Sequence, residues 1–237
     1  MIIIKSSREI EYMRRAGKVV SETLALLQEF VKPGITTGEL DRIAEEYIRK
    51  CNAVPSFKGY YGFPASICTS VNEEVVHGIP GKRVLQEGDI ISIDCGAIVD
   101  GYHGDAARTF AVGRISKEAE ELINVTKESF FKGVENARVG NRLTDISSAI
   151  QEYAESRGYS IVRDYVGHGI GMAMHEEPEV PNFGRPGRGP KLVKGMVLAI
   201  EPMVNIGAYD VEVLSNDWTV VTKDRTLSAH YENTVAI

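Results

Sequence analysis

The sequence predicts an α+β fold made of two pseudo-symmetric halves, and three observations carry that prediction. The order helix, helix, strands occurs twice. A shift of 106 residues superposes the two occurrences: Gly34 falls on Gly140, Leu40 on Ile146, Glu46 on Glu152 and Tyr47 on Tyr153. No low-complexity linker separates them. The halves, about residues 1–115 and 116–237, are expected to share one mixed sheet with helices on one side, as a single domain over 1–237. A chain of 237 residues, 43% of them hydrophobic, can bury such a core without disulfides or structural metals.

The elements follow in order. Ser6-Ser7 can cap a long helix whose apolar positions Ile10, Met13, Val20, Leu24, Leu27 and Val31 keep close to helical period. "KPG" at Lys32–Gly34 ends it, and "TGELDRIAEEYIRKC" reads as a second helix. The short β-branched runs "ASICTSV", "IISIDCGAIV" and "ARTFAV" read as strands. Helical character returns at Ser116 with "SKEAEELINVTKESFFKGVENA" and continues in "TDISSAIQEYAESRG". "GRPGRGPK" reads as a surface loop, and "MVLAIEPMV", "WTVVT" and "ENTVAI" as closing strands.

Several classes are excluded. A net charge of −6 leaves no basic footprint for nucleic acid. Cys51, Cys68 and Cys95 are odd in number and form no CxxC, which points to reduced thiols. The four-residue apolar run after Met1 is too short for a signal-peptide core. No segment approaches the roughly eighteen apolar residues of a membrane span. A soluble, cytoplasmic protein is expected.

The chemistry gathers around acids in apolar strands. Asp94 sits inside "IISIDCGAIV" and Glu201 inside "VLAIEPMV". A buried carboxylate without a partner is costly, so each needs a buried Arg or a metal. Asp100-Gly101 is a hairpin turn signal. With that turn at the centre, Asp94 pairs with Ala107, and Asp105 lies one diagonal step away on the same face. "YENTVAI" offers Glu232. Under the repeat, Asp94 matches Glu201 to within one residue, and Asp105 is expected at the strand position that Glu232 holds. "GHGIGMAMHEEP", Gly167–Pro178, adds His168 and His175 in a segment too glycine-rich for a good helix. "HEEP" is not the HExxH zinc helix. Singly, each acid reads as a cap, turn or ion-pair residue. Together, two acids from each half plus a histidine suit hard or borderline divalent ions, and four carboxylates suit two ions that share bridging acids.

Five motifs in this order, "NEEVVHGIP", "SIDCGAIVDGYHGDAARTF", "GHGIGMAMHEEP", "AIEPM" and "DRTLSAHYENT", resemble the type I methionine aminopeptidases over essentially the whole chain. The resemblance implies the pita-bread fold, a curved and mainly antiparallel sheet with the metal site at its centre. It implies Asp94, Asp105, His168, Glu201 and Glu232 as ligands of two divalent ions (Co, Mn, Fe or Zn), with Asp105 and Glu232 bridging and a monovalent cation nearby. His77 and His175 become catalytic histidines, and Glu201 accepts a proton from the attacking water. The glycines around His168 are expected to let backbone approach the metal and substrate. Tyr60, Phe63, Cys68, Met174 and Trp218 would surround a methionine side chain.

The implied activity is removal of an initiator methionine from nascent chains whose second residue is small, near the ribosome, by a monomer. His230 stands where many members have Gln, and Phe63 and Met174 where bacterial relatives often show Tyr and Phe; these departures touch pocket shape. The chain shows neither the N-terminal zinc-binding extension of eukaryotic type I members nor the large insert of type II, so the resemblance is to the compact bacterial form. Prolidases and aminopeptidases P share the fold and a similar cage but carry a further N-terminal domain. Non-enzymatic relatives lack several of the ligands.

Overall fold

Ser6 starts the first helix by a reciprocal cap: its hydroxyl accepts from the Glu9 N–H while the Glu9 carboxylate accepts from the Ser6 N–H. A computed structural model describes all 237 residues. The first half comprises α1 (Ser7–Phe30), α2 (Thr37–Lys50), β1 (Val54–Pro55), β2 (Ile67–Val71), β3 (Glu74–Val76), β4 (Ile90–Val99) and β5 (Tyr102–Ala111). The second comprises α3 (Lys117–Val134), α4 (Leu143–Glu155), β6 (Ser160–Ile161), β7 (Gly167–Gly169), β8 (Glu176–Val180), β9 (Val197–Ile200), β10 (Met203–Asn205), β11 (Val211–Val213), β12 (Val220–Thr222), β13 (Ser228–His230) and β14 (Asn233–Ala236).

The repeat is written into the backbone hydrogen bonds. Gly34 N–H donates to Leu85 O at 2.8 Å, and Gly140 N–H to Leu192 O at 2.9 Å. Leu85 N–H returns to Ile35 O, and Leu192 N–H to Asn141 O. Both glycines turn with positive φ, 93° and 98°, which a side chain would resist.

β4 and β5 form a long hairpin whose central Asp100 and Gly101 both have positive φ. Its register pairs Asp94 with Ala107 and Gly96 with Asp105, as the turn signal predicts. Because side chains alternate, Ile91, Ile93, Cys95, Ala97 and Val99 pack into the core under α1 and α2, while Asp94 and Asp105 face the other way. α3 and α4 cover an equivalent core that includes Leu198, Ile200 and Val204.

Two expectations change here. The sheet is not one continuous mixed ladder: four separate ladders form, and every strand pair in them is antiparallel. Glu201-Pro202 separates β9 from β10, consistent with a proline that has no N–H to donate. The halves join where β3 pairs with β12 and again along β5 and β13–β14. Ala107 and Glu232 exchange both backbone hydrogen bonds there. On either side a threonine hydroxyl stands in for the next rung. Thr109 Oγ1 accepts from His230 N–H and donates to His230 O, both at 2.9 Å; Thr234 Oγ1 does the same for Asp105, also at 2.9 Å.

This register gives the second correction. Gly96 pairs with Asp105 as Met203 pairs with His230, so the counterpart of Asp105 is His230. Thr109 and Thr234 play equivalent parts, which makes Ala107 the counterpart of Glu232. Thr109→Val and Thr234→Val should each destabilise the metal-free protein by about 1–3 kcal/mol, since each strands an amide and a carbonyl at once. The midpoint of urea unfolding measures this.

Candidate metal centre

Five strand segments deliver the donors. Asp94 comes from the middle of β4, Asp105 from β5, His168 from β7, Glu201 from the residue after β9 and Glu232 from the residue before β14. Donor atoms of Asp105, His168 and Glu232 all lie within 4.8 Å of one another; those of Glu201, His230 and Glu232 form a second such group, with Glu232 common to both. Asp94 and Asp105 stand on neighbouring strands of the β4–β5 hairpin and line the same cavity. Asp94 Oδ1, Asp105 Oδ1 and Glu232 Oε1 are buried without a hydrogen-bond partner. The nearest guanidinium, Arg108, spends its donors on the carbonyls of Ala107 and Glu232 and on Asn233 Oδ1. A divalent cation fits this set of orphaned oxygens.

His168 is oriented to join them. Its Nδ1 lies 2.9 Å from Gly169 O. A carbonyl can only accept, so Nδ1 carries the proton and the Nε2 lone pair points inward, 3.6 Å from Glu201 Oε1. The flanking glycines serve a different purpose from the one expected. A Cβ at Gly167 would lie 2.3 Å from Ala199 O, and one at Gly169 2.2 Å from Glu177 O. They let β7 wedge between β8 and β9.

Burial, reinforced by like charge, sets the electrostatics. Burial and the neighbouring carboxylates push Asp105, Glu201 and Glu232 well above the ordinary carboxylate range. Burial raises Asp94 to about 7. It also holds all five histidines of the chain neutral, taking His77 and His168 to about 4 and His230 to about 3.

The acids open onto a cavity of ≈ 260 Å³. All twelve residues singled out in the sequence line it, with Phe57 and Tyr61 in addition. Its apolar wall is Phe57, Phe63, Cys68 and Met174, closed by Tyr60 and Trp218, with Trp218 edge-on to Phe63 at 5.1 Å. Burial and the nearby acids raise the Cys68 thiol, so it stays protonated as a soft wall atom. His77 holds a left-handed backbone, φ 59°, at the cavity edge. His175 stands against His168 with ring centroids 4.3 Å apart, and its Nδ1 lies 2.8 Å from the Tyr60 hydroxyl. A phenol is the better donor and a neutral imidazole lone pair the better acceptor. Tyr60 therefore donates to Nδ1, and Nε2 of His175 keeps its proton.

His230 departs from its expected part. It does not line the cavity but lies behind the acids, 1% exposed. The sequence signal was its position opposite Asp105 in the repeat, which the false match to Glu232 concealed.

These features define a metal-dependent hydrolase class, and comparison with known proteins narrows it. A model of metallopeptidase family M24 matches residues 11–237. The chain belongs to metallopeptidase family M24. It is 74% identical to the methionine aminopeptidase of Clostridium acetobutylicum, across 100% of this chain and 95% of that one. A crystal structure of methionine aminopeptidase from Thermotoga maritima superposes with a TM-score of 0.99 at 47% identity, covering 100% of this chain and 96% of that one. The prolidase of Pyrococcus furiosus shares the fold at a TM-score of 0.78 and 22% identity; 99% of this chain covers 62% of it. Within the family the chain stands with the type I methionine aminopeptidases of bacterial form.

The raised acids predict how the metal-free protein responds to pH. Between about pH 4, where unfolded carboxylates ionise, and the raised folded values, the native state holds extra protons and loses stability as pH rises. The depressed histidines act oppositely, but only below about pH 6.5, where unfolded histidine binds protons. Above about pH 6.5 the acids set the slope, and toward pH 8.5 the raised Cys68 and Cys95 thiols add to it in the same direction. In excess chelator, Tm should fall steadily from about pH 6.5 to 8.5, and a saturating divalent ion should flatten the slope. Calorimetry at stepped pH tests both.

Proposed function

We propose that this chain removes the N-terminal methionine from nascent proteins and peptides whose second residue is small, as a monomeric single-domain enzyme of the cytoplasm acting near the ribosome. One observation carries the reading: a sulfur-compatible apolar pocket opens beside a carboxylate–imidazole cage in the same cavity. Strands β4, β5 and β7 and the residues flanking β9 and β14 provide Asp94, Asp105, His168, Glu201 and Glu232 to hold divalent ions. Two donor groups that share Glu232 support two ions rather than one. Co, Mn, Fe and Zn all suit this mixture of oxygen and nitrogen. No helix is long and apolar enough to cross a membrane.

When bound, the ions supply a water acidic enough to give hydroxide near neutral pH and polarise the substrate carbonyl. The remaining work falls to side chains. Glu201, whose carboxylate lines the cavity beside His168, accepts the proton of the attacking water. His175 presents Nε2–H toward the developing oxyanion, a contact worth about 3 kcal/mol. His77 meets the scissile amide from the cavity edge. Phe63, Cys68, Met174, Tyr60 and Trp218 enclose the methionine side chain. Sulfur–aromatic contacts there contribute about 0.3–1.5 kcal/mol each.

The enzyme should release methionine from a Met-Ala peptide, lose that activity on prolonged chelation, and regain it with Mn, Co or Fe. Asp105→Asn should abolish turnover with the fold intact by circular dichroism. Faster cleavage of an Ala-Pro peptide than of Met-Ala would replace this reading with a prolidase-like one. His175→Ala should cut kcat by roughly 10²-fold with metal content nearly unchanged, because only transition-state stabilisation is lost. Trp218 is the chain's single tryptophan, so free methionine should change its emission saturably in the metal-loaded enzyme.

A further inference from the structure

His230 is a buried imidazole that the mechanism above does not use. It is 1% exposed, and neither Nδ1 nor Nε2 has a hydrogen-bond partner. A buried side chain with two unmet polar atoms calls for a missing partner, and an ion is one of the few that fit. Its place in the fold points the same way. Across the pseudo-symmetric halves it is the counterpart of Asp105, and its ring turns toward the same acids.

Two distances decide what the ring does there. Nε2 lies 3.9 Å from Glu201 Oε2 and 3.8 Å from Glu232 Oε2. Both are too long for a hydrogen bond, whose heavy atoms approach to about 3.2 Å or less. Both are short enough for donors sharing one ion: bonds of about 2.0–2.2 Å allow two ligands to stand up to about 4.4 Å apart. We infer that His230 is a further nitrogen ligand of the metal centre, binding through Nε2 together with Glu201 and Glu232, and taking a divalent ion of borderline softness. The inference rests on the reading of the acid cage as a metal centre. It gives the cage a second imidazole opposite His168, so the site should favour Co, Fe or Zn over the oxygen-preferring Mn.

Cadmium with a spin-active nucleus counts nitrogen ligands directly. Protein labelled with ¹⁵N-histidine, stripped of metal and loaded with two equivalents of ¹¹³Cd, should show one-bond Cd–N coupling at two histidines, and His230→Gln should show it at one. In calorimetric titrations His230→Gln should weaken Co(II) binding at least tenfold and Mn(II) binding less, a change on the order of that seen when groups supporting metal ligands are removed. Coupling confined to His168 in the wild type would overturn the inference while leaving the cage reading intact. Coupling at no histidine would overturn both.

Discussion

Four carboxyl groups share one small, largely buried volume, and the rest of the fold is arranged around that crowding. Taking an ion out of water costs several kcal/mol even after the protein relaxes, and like charges nearby add to it. Asp94, Asp105, Glu201 and Glu232 bear this cost on rigid strand segments with no guanidinium or ammonium aimed at their carboxylates. The two cores under α1–α2 and α3–α4 are what make such a concentration of acid tolerable. A bound divalent ion offsets the repulsion that they hold in check.

The two histidines of the glycine-rich segment show how finely the same side chain can be set. His168 is fixed by a backbone carbonyl, which leaves its lone pair facing the acids. His175, in contact with it, is fixed by a phenol, which leaves its N–H facing the cavity. One ring offers a lone pair and the other an N–H. Both stay neutral because burial disfavours the imidazolium. Tyr60 thus touches the apolar wall with its ring and His175 with its hydroxyl.

Much of this was legible in the chain. The Asp100-Gly101 turn was enough to place Asp94 opposite Ala107, because a two-residue hairpin leaves the register no freedom. The spacing of Gly34 and Gly140 exposed the repeat, since a tight turn constrains residue type more than an exposed helix face does. Glu201 and Glu232 were less legible. They sit at breaks between short ladders, where alternation stops carrying information. The correspondence of Asp105 with His230 was hidden for another reason. It follows from the seam, where threonine hydroxyls replace backbone rungs, and hydroxyl bridging leaves no periodic trace in sequence. The glycines around His168 were visible as a demand for closeness. Only the neighbouring carbonyls of Ala199 and Glu177 reveal what comes close.

The halves meet along two seams, β3 with β12 and β5 with β13–β14. At the second, Ala107 and Glu232 exchange backbone bonds and two threonine hydroxyls extend the ladder. Asp94 and Asp105 lie on one side of it; His168, Glu201 and Glu232 lie on the other. An ion held by both sets therefore works as a clasp. Such an ion would tie the two halves together at their centre, so it would serve the joint as well as the chemistry.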